Sequence, residues 1–175
     1  VDLDAELSWN YELGVRSSPR DGLTMEATIF RMDFENQIVP ASVAGGTGAT
    51  LTSAGETLHQ GLEFAGEVQG NAFVEWPVDV FARLSYTWLA DAEYVGERYS
   101  SITGNTNVSV TGNRLPYAPE HLLAGTVGLR TPFGLDVELE GVYTSSAFTD
   151  DLNTVDIVAN GQRGEIPAYT VWNLS

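Results

Sequence analysis

The sequence predicts an all-β chain in which about seven antiparallel strands form a segment of a transmembrane β-barrel wall. Three observations carry this. Apolar and polar residues alternate with period two along stretch after stretch, as in strands that bury one face only. The clearest run, residues 57–68, sets Leu58, Gln60, Leu62, Phe64, Gly66 and Val68 against Thr57, His59, Gly61, Glu63, Ala65 and Glu67. Such runs exceed the usual strand of about five or six residues and reach the roughly nine to eleven that a tilted strand needs to cross a bilayer. Finally, the connections alternate short, long, short, long, short, long, and a soluble sandwich has no reason to lengthen every second loop.

Residues 7–15 place Leu7, Trp9, Tyr11, Leu13 and Val15 on one face of a first strand. Ser18-Pro19-Arg20-Asp21-Gly22 reverses it, Pro presetting φ and Gly accepting a positive φ. Residues 23–38 form a second strand whose phase changes. Leu23, Met25, Ala27 and Ile29 are apolar, then Phe30, Met32 and Phe34, so either a bulge shifts the register near Ile29 or aromatics point inward at one end. Residues 40–55 lack periodicity and predict an exposed loop, and residues 57–68 follow as the third strand. After a link carrying Phe73 and Trp76, the fourth strand sets Val78, Val80, Ala82, Leu84, Tyr86 and Trp88 against Asp79, Phe81, Arg83, Ser85, Thr87 and Leu89. A long polar loop spans 96–113. The fifth strand places Leu123, Gly125, Val127 and Leu129 on one face; after Thr131-Pro132-Phe133-Gly134, the sixth opposes Leu135, Val137, Leu139 and Tyr143 to Asp136, Glu138 and Glu140. Those acids suit a watery lumen. A third long loop, 149–165, leads into a seventh strand from Ile166 to Leu174.

Aromatic placement is an independent check. With the long loops outside, Trp9, Tyr11, Tyr86, Trp88 and Tyr143 lie near the outer ends of their strands with the parity of the apolar face, while Trp76 and Phe133 mark the short-turn level. Two aromatic girdles are what a membrane barrel shows.

Composition narrows the partners. With 24 acids, 8 bases and a net charge of -16, the chain lacks the clustered Lys and Arg that a nucleic acid requires. No cysteine is present, which removes disulfides, thiolate metal sites and a cysteine nucleophile. No apolar run approaches the length of a membrane helix, so any span is a strand. Both ends of the sequence suggest cuts within a longer chain.

Several stretches resemble a known family. Asn10-Tyr11-Glu12-Leu13-Gly14-Val15-Arg16, Ile29-Phe30-Arg31-Met32-Asp33-Phe34-Glu35-Asn36-Gln37-Ile38, His59-Gln60-Gly61-Leu62-Glu63, Leu115-Pro116-Tyr117-Ala118-Pro119-Glu120-His121 and Ile166-Pro167-Ala168-Tyr169-Thr170-Val171-Trp172-Asn173 are similar, in this order, to the barrel of TonB-dependent outer-membrane receptors, and within them to receptors for iron(III) dicitrate and ferric siderophores. The resemblance implies a barrel of about 22 strands in the bacterial outer membrane, of which residues 1–175 are part. It also implies a plug domain and a TonB-engaging box outside this chain, a ferric chelate as ligand, lipid around the wall, and no enzymatic activity or resident cofactor.

Ligand contacts are expected from the long loops. Arg98, Arg114 and Arg163 are candidates for an anionic ferric chelate, because guanidinium pairs with carboxylate in a planar fork, and Tyr99 offers a ring face. An ordinary solvated role is the alternative for all four. His59 and His121, the two histidines, lack a second metal ligand at motif spacing and read as lumen-facing or loop-base residues. Gly45-Gly46-Thr47-Gly48 lacks the Lys and helix of a phosphate loop. Asp150, Asp151, Asn153 and Asp156 break the calcium-loop order at Val155 and read as a solvated loop. No nucleophile elbow occurs. The rival readings are a passive porin, a barrel enzyme with a nucleophile and base converging across strands, and a soluble carbohydrate-binding sandwich.

Overall fold

A computed structural model of the chain describes residues 5–40, 51–53, 55–100, 102 and 104–175, with backbone alone at 38–40 and 51–53. The glycine-rich run at 45–48 lies outside the described residues. Long strands dominate: β1 (Leu7–Arg20), β2 (Leu23–Glu35), β5 (Thr57–Gln69), β6 (Asp79–Tyr94), β7 (His121–Arg130), β8 (Asp136–Thr144) and β11 (Tyr169–Leu174). They form one sheet in the order β1-β2-β5-β6-β7-β8-β11, with every neighbouring pair antiparallel. Two small ladders sit in the long connections: β3 (Ile38–Pro40) with β4 (Leu51–Ser53), and β9 (Ala147–Phe148) with β10 (Glu165–Ile166). A single 3₁₀ turn, Gly70–Ala72, lies in a short connection.

Register fixes the faces. Phe64 pairs with Tyr86, Tyr86 with Leu123, and Leu123 with Tyr143; Val68, Ala82, Val127 and Leu139 are linked in the same way two same-face rows lower. These side chains share the apolar face. Two glycines on it are covered by rings: the Phe64 ring lies 3.4 Å from where a Cβ on Gly66 would sit, and Trp172 2.7 Å from one on Gly141. A shallow groove of about 390 Å³ here is lined by Leu23, Met25, Phe64, Val68, Leu84 and Val127. Across the same strands a groove of about 410 Å³ is lined by Thr24, Glu26, Glu67, Arg83, Ser85 and Thr126. One sheet thus separates an oily surface from a wet one.

The phase change in β2 is resolved by its pairing. β2 runs beside β5 without any register shift, and beside β1 in unbroken register from Leu7 to Ser17, so no bulge lies at Ile29. The two faces exchange character instead. Above the row Leu13, Ile29, Leu62 and Trp88, the apolar face turns polar with Arg31, Asp33, Gln60 and Asp91. Arg31 donates to Asp33 at 2.9 and 3.0 Å and to Gln60 at 3.3 Å, and Gln60 donates to Asp91. Phe30, Met32 and Phe34 take the other face, where the Phe34 ring meets His59 edge-on at 5.3 Å. The apolar band ends at this switch.

A bulge does occur, in β6. Gln60 pairs with Asp91 but Leu62 with Trp88, so Leu89 and Ala90 together stand opposite Gly61, one residue too many. Parity in β6 flips there: Tyr86 and Trp88 share the lipid side with Asp91 and Glu93, while Ala92 and Tyr94 turn inward. Gly61 permits this, because a Cβ there would collide with the backbone carbonyl of Trp88. On the polar face Gly128 lies flat under the Phe81 ring, which Arg83 and Arg130 cover at 4.7 and 4.5 Å. Gly61→Ala is expected to cost about 2 kcal/mol, since backbone must shift. Gly128→Ala should cost less, because only a side chain need move. Urea unfolding of the intact protein in detergent, with both variants side by side, checks the order.

Candidate functional site: the long-loop end of the sheet

The described side chains with almost no exposure gather at the long-loop end. Thr57, Ala92, Tyr94, Val110, Asp150 and Asp151 are each at most 1 % exposed. Ala92, Tyr94, Val110 and Leu115 form a small dry core, with Leu89, Ala118 and Leu152 packed against it. The upper part of β6 builds this core because its bulge turns Ala92 and Tyr94 inward. Beyond the point where β7 ends, the 95–120 loop supplies β6 with a partner: Leu115 donates to Ala92 O at 2.7 Å, Tyr94 to Asn113 O at 3.1 Å and Gly112 to Tyr94 O at 2.7 Å.

Arg114 is the pivot. Its Nε donates to Ala118 O at 2.7 Å, Nη2 to Leu89 O at 2.7 Å and Nη1 to Ala90 O at 3.3 Å. The two β6 carbonyls belong to the bulge residues, which the extra residue removes from the ladder, so one guanidinium satisfies groups that bulging leaves over. Burial lowers its pKa while Glu120 and Asp91 oppose that; a guanidinium nevertheless keeps its charge. Arg114→Ala is expected to destabilise the intact protein by about 2 kcal/mol, the cost of stranding carbonyls bonded to a charged donor. Arg114→Lys should recover little, because one ammonium lacks the fork that reaches three carbonyls. Full recovery by Lys would show that charge, rather than the fork, is what the site needs.

The other residues singled out from the sequence divide between two loops. Arg98 lies with its guanidinium 4.9 Å from the Tyr94 ring, and its carbonyl accepts from Val110 at 3.0 Å. Tyr99 is 56 % exposed beside its bridge to Ser109. The structure thus carries Arg98 and Tyr99 on the same loop as Arg114, whose guanidinium faces the protein. Arg163 sits on a separate turn of the 145–168 loop, closed by Val158 N–H to Arg163 O at 3.1 Å.

The solvated-loop reading of residues 150–153 fails. Asp150 accepts from Leu152 N–H and the Thr154 hydroxyl, both at 3.0 Å, and Asp151 accepts from the Ser100 hydroxyl at 2.8 Å. Asn113 donates to Asp151 O at 2.8 Å. Among the described residues, no group of three or more His, Asp or Glu side chains is arranged to hold a metal ion. His121 lies on the lipid-side belt, its Nδ1 3.0 Å from the Tyr86 hydroxyl, and Trp88 donates to Glu120 at 3.1 Å. The residues that sequence reasoning passed over, Ser100 and Asn113, are polar loop residues whose partners lie 51 and 38 positions away; no local pattern marks them.

Comparison with known proteins agrees with this architecture. The family model of the TonB-dependent receptor-like β-barrel matches residues 1–175. The ferric citrate transporter FecA in its unliganded form superposes with a TM-score of 0.66 at 29% identity, over 95% of this chain and 23% of its own. The ferric yersiniabactin uptake receptor FyuA from Yersinia pestis gives 0.64 at 20% identity over 98% and 22%. The siderophore receptor PiuA from Acinetobacter baumannii gives 0.61 at 19% over 95% and 21%. The chain therefore spans less than a quarter of the length of each of these structures. With antiparallel strands of membrane-crossing length, one oily and one polar face, and a family match along its whole length, the chain belongs to the TonB-dependent receptors, a family of outer-membrane β-barrels, as a stretch of barrel wall.

Proposed function

We propose that this chain is part of an outer-membrane receptor for energised uptake of a ferric chelate, ferric citrate or a siderophore, into the periplasm. The observation that carries the reading is the family match over residues 1–175, together with 29% identity to a ferric citrate transporter over 95% of the chain. The geometry is compatible: the polar face would line a lumen, and Arg98 and Tyr99 on the loop that Arg114 braces, with Arg163 on the other long loop, are our candidate contacts for an anionic chelate. Uptake would draw on TonB through regions outside this chain. No nucleic acid fits a chain of net charge -16.

The test is uptake of radiolabelled ferric citrate by cells displaying the intact receptor. Uptake that stops when the proton gradient is collapsed supports the reading. Uptake that persists marks a passive channel, and failure with ferric citrate but success with another ferric chelate corrects the ligand alone.

A further inference from the structure

We infer that the 95–120 and 145–168 loops fold as one cooperative body, with Asn153 as the positioning residue that locks them together, and that this body is a preassembled wall of the ligand vestibule. The second half rests on the receptor reading above. The first half stands on geometry alone.

Asn153 adopts φ +52°, a left-handed conformation that Asn tolerates better than most residues. From there its carboxamide treats one residue of the other loop as a strand would. Oδ1 accepts from Arg114 N–H at 2.8 Å and Nδ2 donates to Arg114 O at 2.7 Å. Three further bonds cross between the loops: Ser100 hydroxyl to Asp151 Oδ1, Asn113 Nδ2 to Asp151 O, and Tyr117 N–H to Phe148 O, each 2.8 Å. Leu152 of one loop packs on the dry core containing Val110 and Leu115 of the other.

Independent surface loops carry their polar groups in water and open separately. Here the carboxylate of Asp151 is buried at 0 % exposure and is capped by a hydroxyl from the opposite loop, so parting the loops uncovers both at once. Segments that can only open together behave as one unit in exchange. Arg98 and Tyr99 ride on this unit through the Arg98–Val110 bond and the stacking on Tyr94. A wall already assembled spares the ligand the cost of ordering it.

The experiment uses the intact receptor and Asn153→Gly, which keeps the left-handed backbone accessible while deleting both carboxamide bonds to Arg114. In hydrogen exchange in detergent, the amides of Val110 and Leu115, which donate to Arg98 O and Ala92 O rather than to Asn153, are expected to exchange faster together with those of Leu152 and Gly164, on the order of tenfold. In uptake of labelled ferric citrate, the half-saturating concentration is expected to rise about fivefold with maximal rate and surface display unchanged. Asn153→Asp, which keeps only the acceptor, should fall between. Faster exchange confined to 145–168 would overturn the single body. Faster exchange in both loops with an unchanged half-saturating concentration would overturn the positioning role. If the parent receptor takes up no ferric citrate, that substrate assignment fails and the same exchange comparison still decides whether the loops are one body.

Discussion

Arginine in place of Leu84 should destabilise the intact barrel by about 2–4 kcal/mol, whereas arginine in place of the adjacent Ser85 should cost almost nothing. Leu84 pairs with Gly66 and Gly125 in the middle of the lipid-facing band, with Tyr86 and Trp88 above it and Val80 and Ala82 below. A guanidinium there has no polar neighbour on its own face and sits far from either interface. Ser85 turns to the groove shared with Glu26 and Glu67, where an added cation meets water and carboxylates. Leu62 is a graded control. It lies one step below Gln60, Arg31 and Asp91, so an arginine at that position can snorkel to the polar strip and should cost less than one at Leu84. Urea unfolding of the receptor refolded into bilayers measures all three, and equal losses at Leu84 and Ser85 would refute the assignment of faces.

Why the wall was legible and the loops were not follows from the range of the interactions. Period-two alternation is local, so β1, β5, β7 and β8 can be read from single stretches, and Asp136, Glu138 and Glu140 announce the lumen side without knowledge of their partners. Their observed partners, Arg130, Gly128 and Thr126 on β7, merely agree. The β6 bulge is different. Leu89 and Ala90 look like ordinary strand residues, and only pairing with Gly61 on another strand reveals the extra one. Once that slip is known, the inward turn of Tyr94 follows from the parity it reverses, and the job of Arg114 from the carbonyls it frees. Its charge alone marks Arg114 as a candidate chelate contact; in the structure its donors serve Leu89, Ala90 and Ala118. Asp150 and Asp151 looked solvated because acidic loop residues usually are. Asp151 is held by Ser100 and Asn113, 51 and 38 positions away, while Asp150 is bonded by its own neighbours Leu152 and Thr154. The phase change in β2 is visible in the sequence, and its form, an exchange of faces rather than a bulge, needs the polar strip built jointly by β2, β5 and β6.

The 175-residue polypeptide expressed by itself is expected to be insoluble without detergent and to show no cooperative unfolding with it. Seven strands joined in one open sheet leave β1 and β11 each with a single neighbour, and a row of unpaired amides and carbonyls on each edge recruits other strands. In lipid the same groups go unsatisfied, which closure of a barrel ordinarily prevents. The faces add to the problem. Leu13, Val15, Trp172 and Leu174 are between 66 and 75 % exposed, and with Ile29 and Val127 they contribute to an apolar surface far wider than a soluble monomer tolerates. The dry core at the long-loop end is too small to oppose this, since its buried members are Ala92, Tyr94, Val110 and Leu115. Spanning less than a quarter of FecA, FyuA or PiuA, the sheet needs further strands on both sides to remove its edges, and the measurement is therefore sedimentation and thermal melting of the isolated polypeptide. A soluble monomer with one sharp transition would mean that these faces are satisfied within the chain itself, and the membrane-wall assignment would have to be abandoned for a soluble sandwich.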